Sequence, residues 1–208
     1  MTKDILVIGL CGRSGSGKGY VCERFSAFGI PSVDTDKVYR EILEKEGSQC
    51  LAELVAEFGK DILSEGKLDR RALSAIVFAP GNENKLERLN AITHKYILSE
   101  TNERIESYKK NGCRAVLVDA PVLFESGFDS ICDFTLCVTA PDSVCVERIC
   151  ARDSRTKEEA LSRLANQKSA DELRRLCSFE IVNDGEADVL AQVLEVINKL
   201  GAGGKDEE

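Results

Sequence analysis

The sequence predicts an α/β domain, a five-stranded parallel sheet flanked by helices, and three features carry that prediction. Five short apolar runs (Ile5 to Leu10, Ile30 to Val33, Ala115 to Ala120, Phe134 to Thr139 and Phe179 to Val182) are mostly continuous rather than alternating. That is the pattern of strands covered on both faces. Amphipathic stretches lie between the runs, which implies right-handed parallel crossovers. The first run ends in a glycine-rich loop that leads straight into a helical stretch.

Helices are expected at Lys18 to Phe28, Thr35 to Lys45, Gln49 to Phe58, Arg70 to Phe78, Asn84 to Tyr108, Asp142 to Arg152, Lys157 to Gln167 and Ala187 to Leu200. Thr156 with Glu159, and Ser169 with Glu172, have the spacing of a capping box, in which hydroxyl and carboxylate satisfy orphan amides reciprocally. Pro141 suits a helix start. A parallel crossover needs only about a dozen residues or somewhat more. The stretch 59–114 is far longer, so a helical subdomain is expected there, within one domain spanning 1–208. The tail 201–208, Gly-Ala-Gly-Gly-Lys-Asp-Glu-Glu, is expected to fray.

With 43% hydrophobic and 31% charged residues, the 208-residue chain can fill a core without a metal or disulfide staple. Its 28 basic against 36 acidic side chains give a net charge of −8. This balance speaks against nucleic-acid and membrane partners. No apolar run approaches a membrane span and the start lacks a cleavage signal, so a cytoplasmic location is expected. Nine cysteines without a C-x-x-C pair, and His94 as the sole histidine, lack zinc-ligand spacing. Reduced thiols serving as small core residues are expected instead.

After the first strand comes Gly12-Arg13-Ser14-Gly15-Ser16-Gly17-Lys18-Gly19, a G-x-x-x-x-G-K phosphate loop between strand and helix. Glycines let successive amides turn inward around phosphates, and the helix presents its positive end to the same anion. Lys18 brings a mobile charge to the transferring phosphate. Gly19 and then Tyr20 stand where a metal-ligating hydroxyl normally follows the lysine. Mg²⁺ is therefore expected on phosphates and waters, with Asp36 or Asp119 reached through water.

The second strand runs into Val33-Asp34-Thr35-Asp36. Two carboxylates two residues apart in extended chain point to the same side, at the sheet's carboxyl edge. A carboxylate there can take or orient a hydroxyl proton, and helix N-capping is the competing use for one of the pair. The third strand ends in Asp119, like a Walker B strand, and Ala120-Pro121-Val122-Leu123-Phe124-Glu125-Ser126-Gly127 follows. Phe124 and Glu125 are candidates to touch an acceptor, with the core as the alternative for Phe124. Asn183-Asp184-Gly185, after the fifth strand, could border a purine base. The segment 148–175 holds eight basic and five acidic residues, +3 in a chain of −8, which suggests an anionic partner. Arg148 and Arg152, at i and i+4, share a helix face, and arginine's planar fork suits phosphoryl oxygens.

Together G-L-C-G-R-S-G-S-G-K, V-D-T-D, L-D-R-R-A-L-S-A-I-V-F, I-T-H, D-A-P-V-L-F-E-S-G, Arg148-Ile149-Cys150-Ala151-Arg152-Asp153 and Arg163-Leu164-Ala165-Asn166-Gln167 resemble the dephospho-CoA kinases over nearly the whole chain. The resemblance implies a P-loop kinase core with a helical CoA-binding subdomain at 59–114 and a lid at 148–175. It also implies transfer of the γ-phosphoryl of ATP to the ribose 3′-hydroxyl of dephospho-CoA, with Mg²⁺, the last step of coenzyme A synthesis. Lys18, Asp36, Arg148 and Arg152 are then the catalytic candidates, Asp36 as base or as orienting group. Nucleotide is expected on Gly12, Arg13, Ser14, Gly15, Ser16, Gly17, Lys18, Gly19, Tyr20, Arg148, Arg152 and Asn183. The acceptor is expected on Asp34, Asp36, Arg70, His94, Leu123, Phe124, Glu125 and Arg163. Lys95 stands where that family usually has proline after the histidine. Small-molecule substrates and a monomer are expected. The rivals are a P-loop kinase for another small alcohol and a nucleotide switch, although the guanine motif N-K-x-D is absent.

Overall fold

The computed structural model describes residues 5–202. It divides into two compact units, Met1–Val33 with Ile105–Glu208 and Asp34–Arg104.

The first unit is built on strands β1 (Leu6–Gly12), β2 (Ser32–Asp34), β5 (Ala115–Asp119), β6 (Phe134–Thr139) and β7 (Phe179–Val182), in the order β2-β5-β1-β6-β7. Parallel registers pair Ile8 with Leu117 and Leu10 with Asp119 on one side of β1, and Leu10 with Leu136 on the other. Almost every residue of β1 and β5 is buried, which is why their sequences do not alternate. Helices α1 (Lys18–Ser26) and α9 (Val189–Leu200) cover the sheet through Val21, Phe25, Val193 and Ile197, packed on Ile8, Leu117, Leu136 and Ile181. A second cluster joins α6 (Asp142–Asp153) to α7 (Lys157–Ala165) through Cys145, Ile149, Ala160 and Leu164.

Several boundaries differ from the sequence reading for local reasons. The α1 helix stops at Ser26, and a turn at Gly29 (φ 74°) lets the Ile30 amide bond back to Phe25 O. α9 begins two residues late because the Asp188 carboxylate caps it, accepting from the Ala191 amide. The Ser169 capping box opens a helix absent from the expected set, α8 (Ala170–Leu176). α7 ends at Ala165, short of Gln167. The tail expected to fray from Gly201 begins in order instead: Gly201 closes α9 in the left-handed region and Ala202 is buried in the core. Residues 203–208 lie outside the described part.

The second unit holds α2 (Thr35–Glu44), α3 (Gln49–Phe58), a hairpin of β3 (Leu63–Ser64) and β4 (Lys67–Leu68), α4 (Arg70–Val77), and most of α5 (Glu83–Lys110). Leu43, Cys50, Leu54, Phe58, Ile62, Leu73 and Val77 form its core. It therefore starts well before residue 59, because α2 and α3 contribute that core. Its helices α2, α3 and α4 start on side-chain caps: Asp34 accepts from Lys37 N at 2.9 Å, Ser48 from Leu51 N at 3.2 Å and Asp69 from Arg71 N at 2.8 Å.

All nine cysteines lie among the described residues, and none of them is in a disulfide. No helix among the described residues is long and apolar enough to cross a membrane.

Candidate active site

The phosphate loop belongs to the first unit. β1 delivers the chain at Gly12, a turn closes with Ser16 N donating to Arg13 O at 3.1 Å, and α1 starts after Gly17. Two glycines are demanded by space and backbone alike. A Cβ on Gly15 (φ 79°) would lie 2.4 Å from Cys145 O, and one on Gly17 (φ 91°) 2.1 Å from Asn183 Nδ2. No side chain caps α1 and its first turn carries no acid, so its positive end is left for an anion.

Lys18, mostly buried, reaches Gly12 O at 3.4 Å and stands 4.0 Å from Asp119 Oδ1. Asp119 sits at the carboxyl end of β5, beside β1. Behind the loop, Arg148 Nη1 donates to Gly15 O (3.3 Å), Ser16 O (3.4 Å) and Asn183 O (2.9 Å). The buried Asn183 amide donates to Ser16 O at 2.8 Å. Drawing the Ser16 carbonyl backward turns the N–H of the same peptide plane, that of Gly17, the other way. Arg148 and Asn183 therefore shape the loop from outside, a use of Arg148 that the i, i+4 spacing did not reveal. They also border an open cleft of about 580 Å³ with Tyr20, Arg24 and Gly185. Tyr20 is exposed and lies under the Arg24 guanidinium, 4.4 Å from the ring centre, and Gly19 is exposed too.

Arg152 and Arg163 meet on one carboxylate. Asp153 accepts from Arg152 Nε at 2.7 Å and Nη2 at 2.9 Å, and from Arg163 Nη1 at 2.9 Å. These bonds, Arg152's above all, hold the Asp153 carboxyl down at about 2. Asp153 belongs to the segment 148–153 that carries the family resemblance, but sequence reasoning assigned it no role. Arg13 was expected on nucleotide, yet its guanidinium pairs with Asp142 and donates to Leu164 O at 3.0 Å. Of the residues expected near an acceptor, Leu123 is fully buried, Phe124 half-buried, and exposed Glu125 is paired with Lys168 at 2.9 Å. All three line a cavity of about 150 Å³ that also touches Gly12, Arg13 and Gln167.

The second unit carries Asp34, Asp36, Arg70 and His94. Asp34 and Asp36 do not project from a shared strand as expected. Thr35 is already helical, Asp34 caps α2, and Asp36 stands exposed in the first turn with its carbonyl accepting from Arg40 Nε at 3.2 Å. Arg70 begins α4 and, with Arg40, Lys45 and Lys67, lines a cleft of about 810 Å³ floored by Leu43, Leu51, Val55 and Leu68. The nearby Tyr39 hydroxyl is pushed up to about 12, by burial first and by Cys50 next, with Arg70 opposing. Lys95 binds Glu53 of α3 at 2.5 Å, beside the Tyr96 hydroxyl at 2.6 Å.

His94 is half-buried, and desolvation lowers its pKa from the ordinary 6.5. At neutral pH it offers hydrogen bonds rather than charge. Because the folded chain protonates it less readily than the unfolded chain, stability is complete above about 6.5 and declines as pH falls below that value. As the sole histidine it gives a single imidazole Hε1 resonance. That signal is expected to titrate with a midpoint below 6.5 when folded; a midpoint at or above 6.5 would contradict the burial argument.

The family model described as dephospho-CoA kinase matches residues 6–188. A dephospho-CoA kinase of Bacillus cereus is 39% identical over 181 residues, 86% of this chain and 89% of its own. The Thermus thermophilus protein TT1252 superposes with a TM-score of 0.82 at 29% identity, covering 95% of this chain and 98% of its own. A dephospho-CoA kinase from Campylobacter jejuni superposes at 0.66 with 27% identity, over 93% and 96%. On this match, which runs from the phosphate loop through the arginine segment to the start of α9, the chain belongs to the dephospho-CoA kinase family.

Proposed function

We propose that this chain transfers the γ-phosphoryl of ATP to the ribose 3′-hydroxyl of dephospho-CoA, yielding coenzyme A and ADP. The observation that carries the proposal is the phosphate loop, held from behind by Arg148 and Asn183 with Lys18 inside it, in a chain of this family. Phosphoryl transfer asks mainly for alignment and for compensation of spread negative charge, so no covalent enzyme intermediate is needed.

In this reading the loop amides and the start of α1 hold the triphosphate, and the cleft by Tyr20 and Asn183 takes the base. Lys18 faces the transferring group, while Arg152 and Arg163 offset charge as the reaction proceeds. Asp36 orients the acceptor hydroxyl or accepts its proton, with Arg70, His94, Phe124 and Glu125 on the acceptor. Replacing Asp36 by alanine is expected to lower kcat about 10²-fold without changing the melting temperature, since its side chain is exposed; near-native kcat would remove it from the mechanism.

The residues present fit Mg²⁺ of the kind this chemistry uses. Asp119 offers hard carboxylate oxygen beside Lys18, Gly19 offers no hydroxyl, and Mg²⁺ commonly keeps several waters with one carboxylate and substrate phosphates. Bound there, the ion would offset charge on the phosphate oxygens. We take the protein to act in the cytoplasm as a monomer on small molecules.

The test is an acceptor panel. ADP release from MgATP is expected with dephospho-CoA and to be at background with adenosine, AMP, pantothenate or water. Comparable release with another acceptor would assign the chain to a different substrate class.

A further inference from the structure

We infer that Gln167 is a positioning residue for the phosphates, fastening the apex of the phosphate loop to the end of α7. Its side-chain amide meets Ser14 twice: Ser14 N donates to Gln167 Oε1 at 2.9 Å, and Gln167 Nε2 donates to Ser14 Oγ at 3.2 Å. Ser14 and Gly15 are the central residues of the turn closed by Ser16 N and Arg13 O. Their orientation decides where the loop's remaining amides point.

Gln167 is itself fixed. Its backbone N–H donates to Leu164 O at 3.1 Å, and that carbonyl, in the last turn of α7, also accepts from Arg13 Nη2 at 3.0 Å. Leu164 is buried in the α6–α7 cluster, so the anchor is a packed element rather than a mobile side chain. The opposite flank of the loop is held separately by Arg148 and Asn183. Without Gln167, the loop keeps the Arg148–Asn183 brace and the bonds of the Arg13 side chain to Asp142 and Leu164 O, but its apex at Ser14 loses its own tie, and binding a polyphosphate must order that apex.

The inference rests on the reading that this loop holds the nucleotide's phosphates, and it makes a demand which that reading alone does not. Loss of the amide should weaken ligands according to their phosphates and spare the nucleoside. Two neutral hydrogen bonds set a scale of about tenfold. Gln167→Ala, and Gln167→Met, which keeps the volume without the amide, are expected to raise the Kd of ADP about tenfold by calorimetry with Mg²⁺ present. Adenosine affinity should stay as in the wild type. The KM for ATP should rise while kcat is largely kept, since bound phosphates restore the loop. Ser14→Ala removes one of the two bonds and should cost less, and adding it to Gln167→Ala should cost nothing further.

Unchanged ADP affinity in both Gln167 variants would overturn the inference. So would equal weakening of ADP and adenosine, or additive losses in the double variant. If the wild type itself binds ADP no better than adenosine, the functional reading fails first and this inference goes with it.

Discussion

Replacing Lys18 by alanine is expected to leave the protein folded and to lower turnover about 10³-fold. The lysine contributes little to the fold. Among the described residues its polar contacts are one long hydrogen bond, 3.4 Å to Gly12 O, and one ion pair at 4.0 Å to Asp119. Those same loose contacts leave the mostly buried ammonium free to follow a phosphoryl group as it moves. Charge held there by structure is worth more than charge recruited from solvent. Steady-state kinetics beside a thermal melt separates the two effects. A melt near the wild type with kcat collapsed is the expected pair; a kcat near the wild type would take Lys18 out of the chemistry.

Gly17→Ala is expected to damage both stability and nucleotide binding, whereas Gly19→Ala, two residues on, should be harmless. At Gly17 the backbone is left-handed, which alone costs a residue with a Cβ about 1–2 kcal/mol. The new methyl would also occupy the place of Asn183 Nδ2, 2.1 Å away, and displace the group that holds Ser16. A fall in Tm of at least ~3 °C and a loss of ADP affinity exceeding about tenfold should follow. At Gly19 nothing lies within 4 Å of a built Cβ, and alanine is the better helix former. Equal tolerance at the two sites would show that the loop is not braced by Asn183.

The sheet and the loop were legible in the sequence because each rests on a local rule. Continuous apolar runs mark strands covered on both faces, and all five appear, displaced by at most two residues at an end. The Thr156–Glu159 and Ser169–Glu172 capping boxes form as spaced. What escaped depends on partners far along the chain or on short elements. The hairpin at Leu63–Ser64 and Lys67–Leu68 has two-residue strands, and its turn puts Glu65 rather than asparagine at positive φ, so neither pattern nor turn chemistry announced it. Asp34 and Asp36 were read as neighbours on a strand, but the N-cap at Asp34 starts the helix between them. Arg148 was legible as an arginine near the phosphates. That its guanidinium is spent on the carbonyls of Gly15, Ser16 and Asn183 follows from contacts 35 to 133 residues apart, which no local pattern encodes.

The central claim is that the phosphoryl group of ATP ends on the ribose 3′-oxygen of dephospho-CoA, and ³¹P NMR of the reaction tests it most directly. Incubation with MgATP and dephospho-CoA should yield a 3′-phosphomonoester resonance growing in step with ADP. Inorganic phosphate accumulating in its place, or a new phosphoester on any other oxygen, would contradict the account.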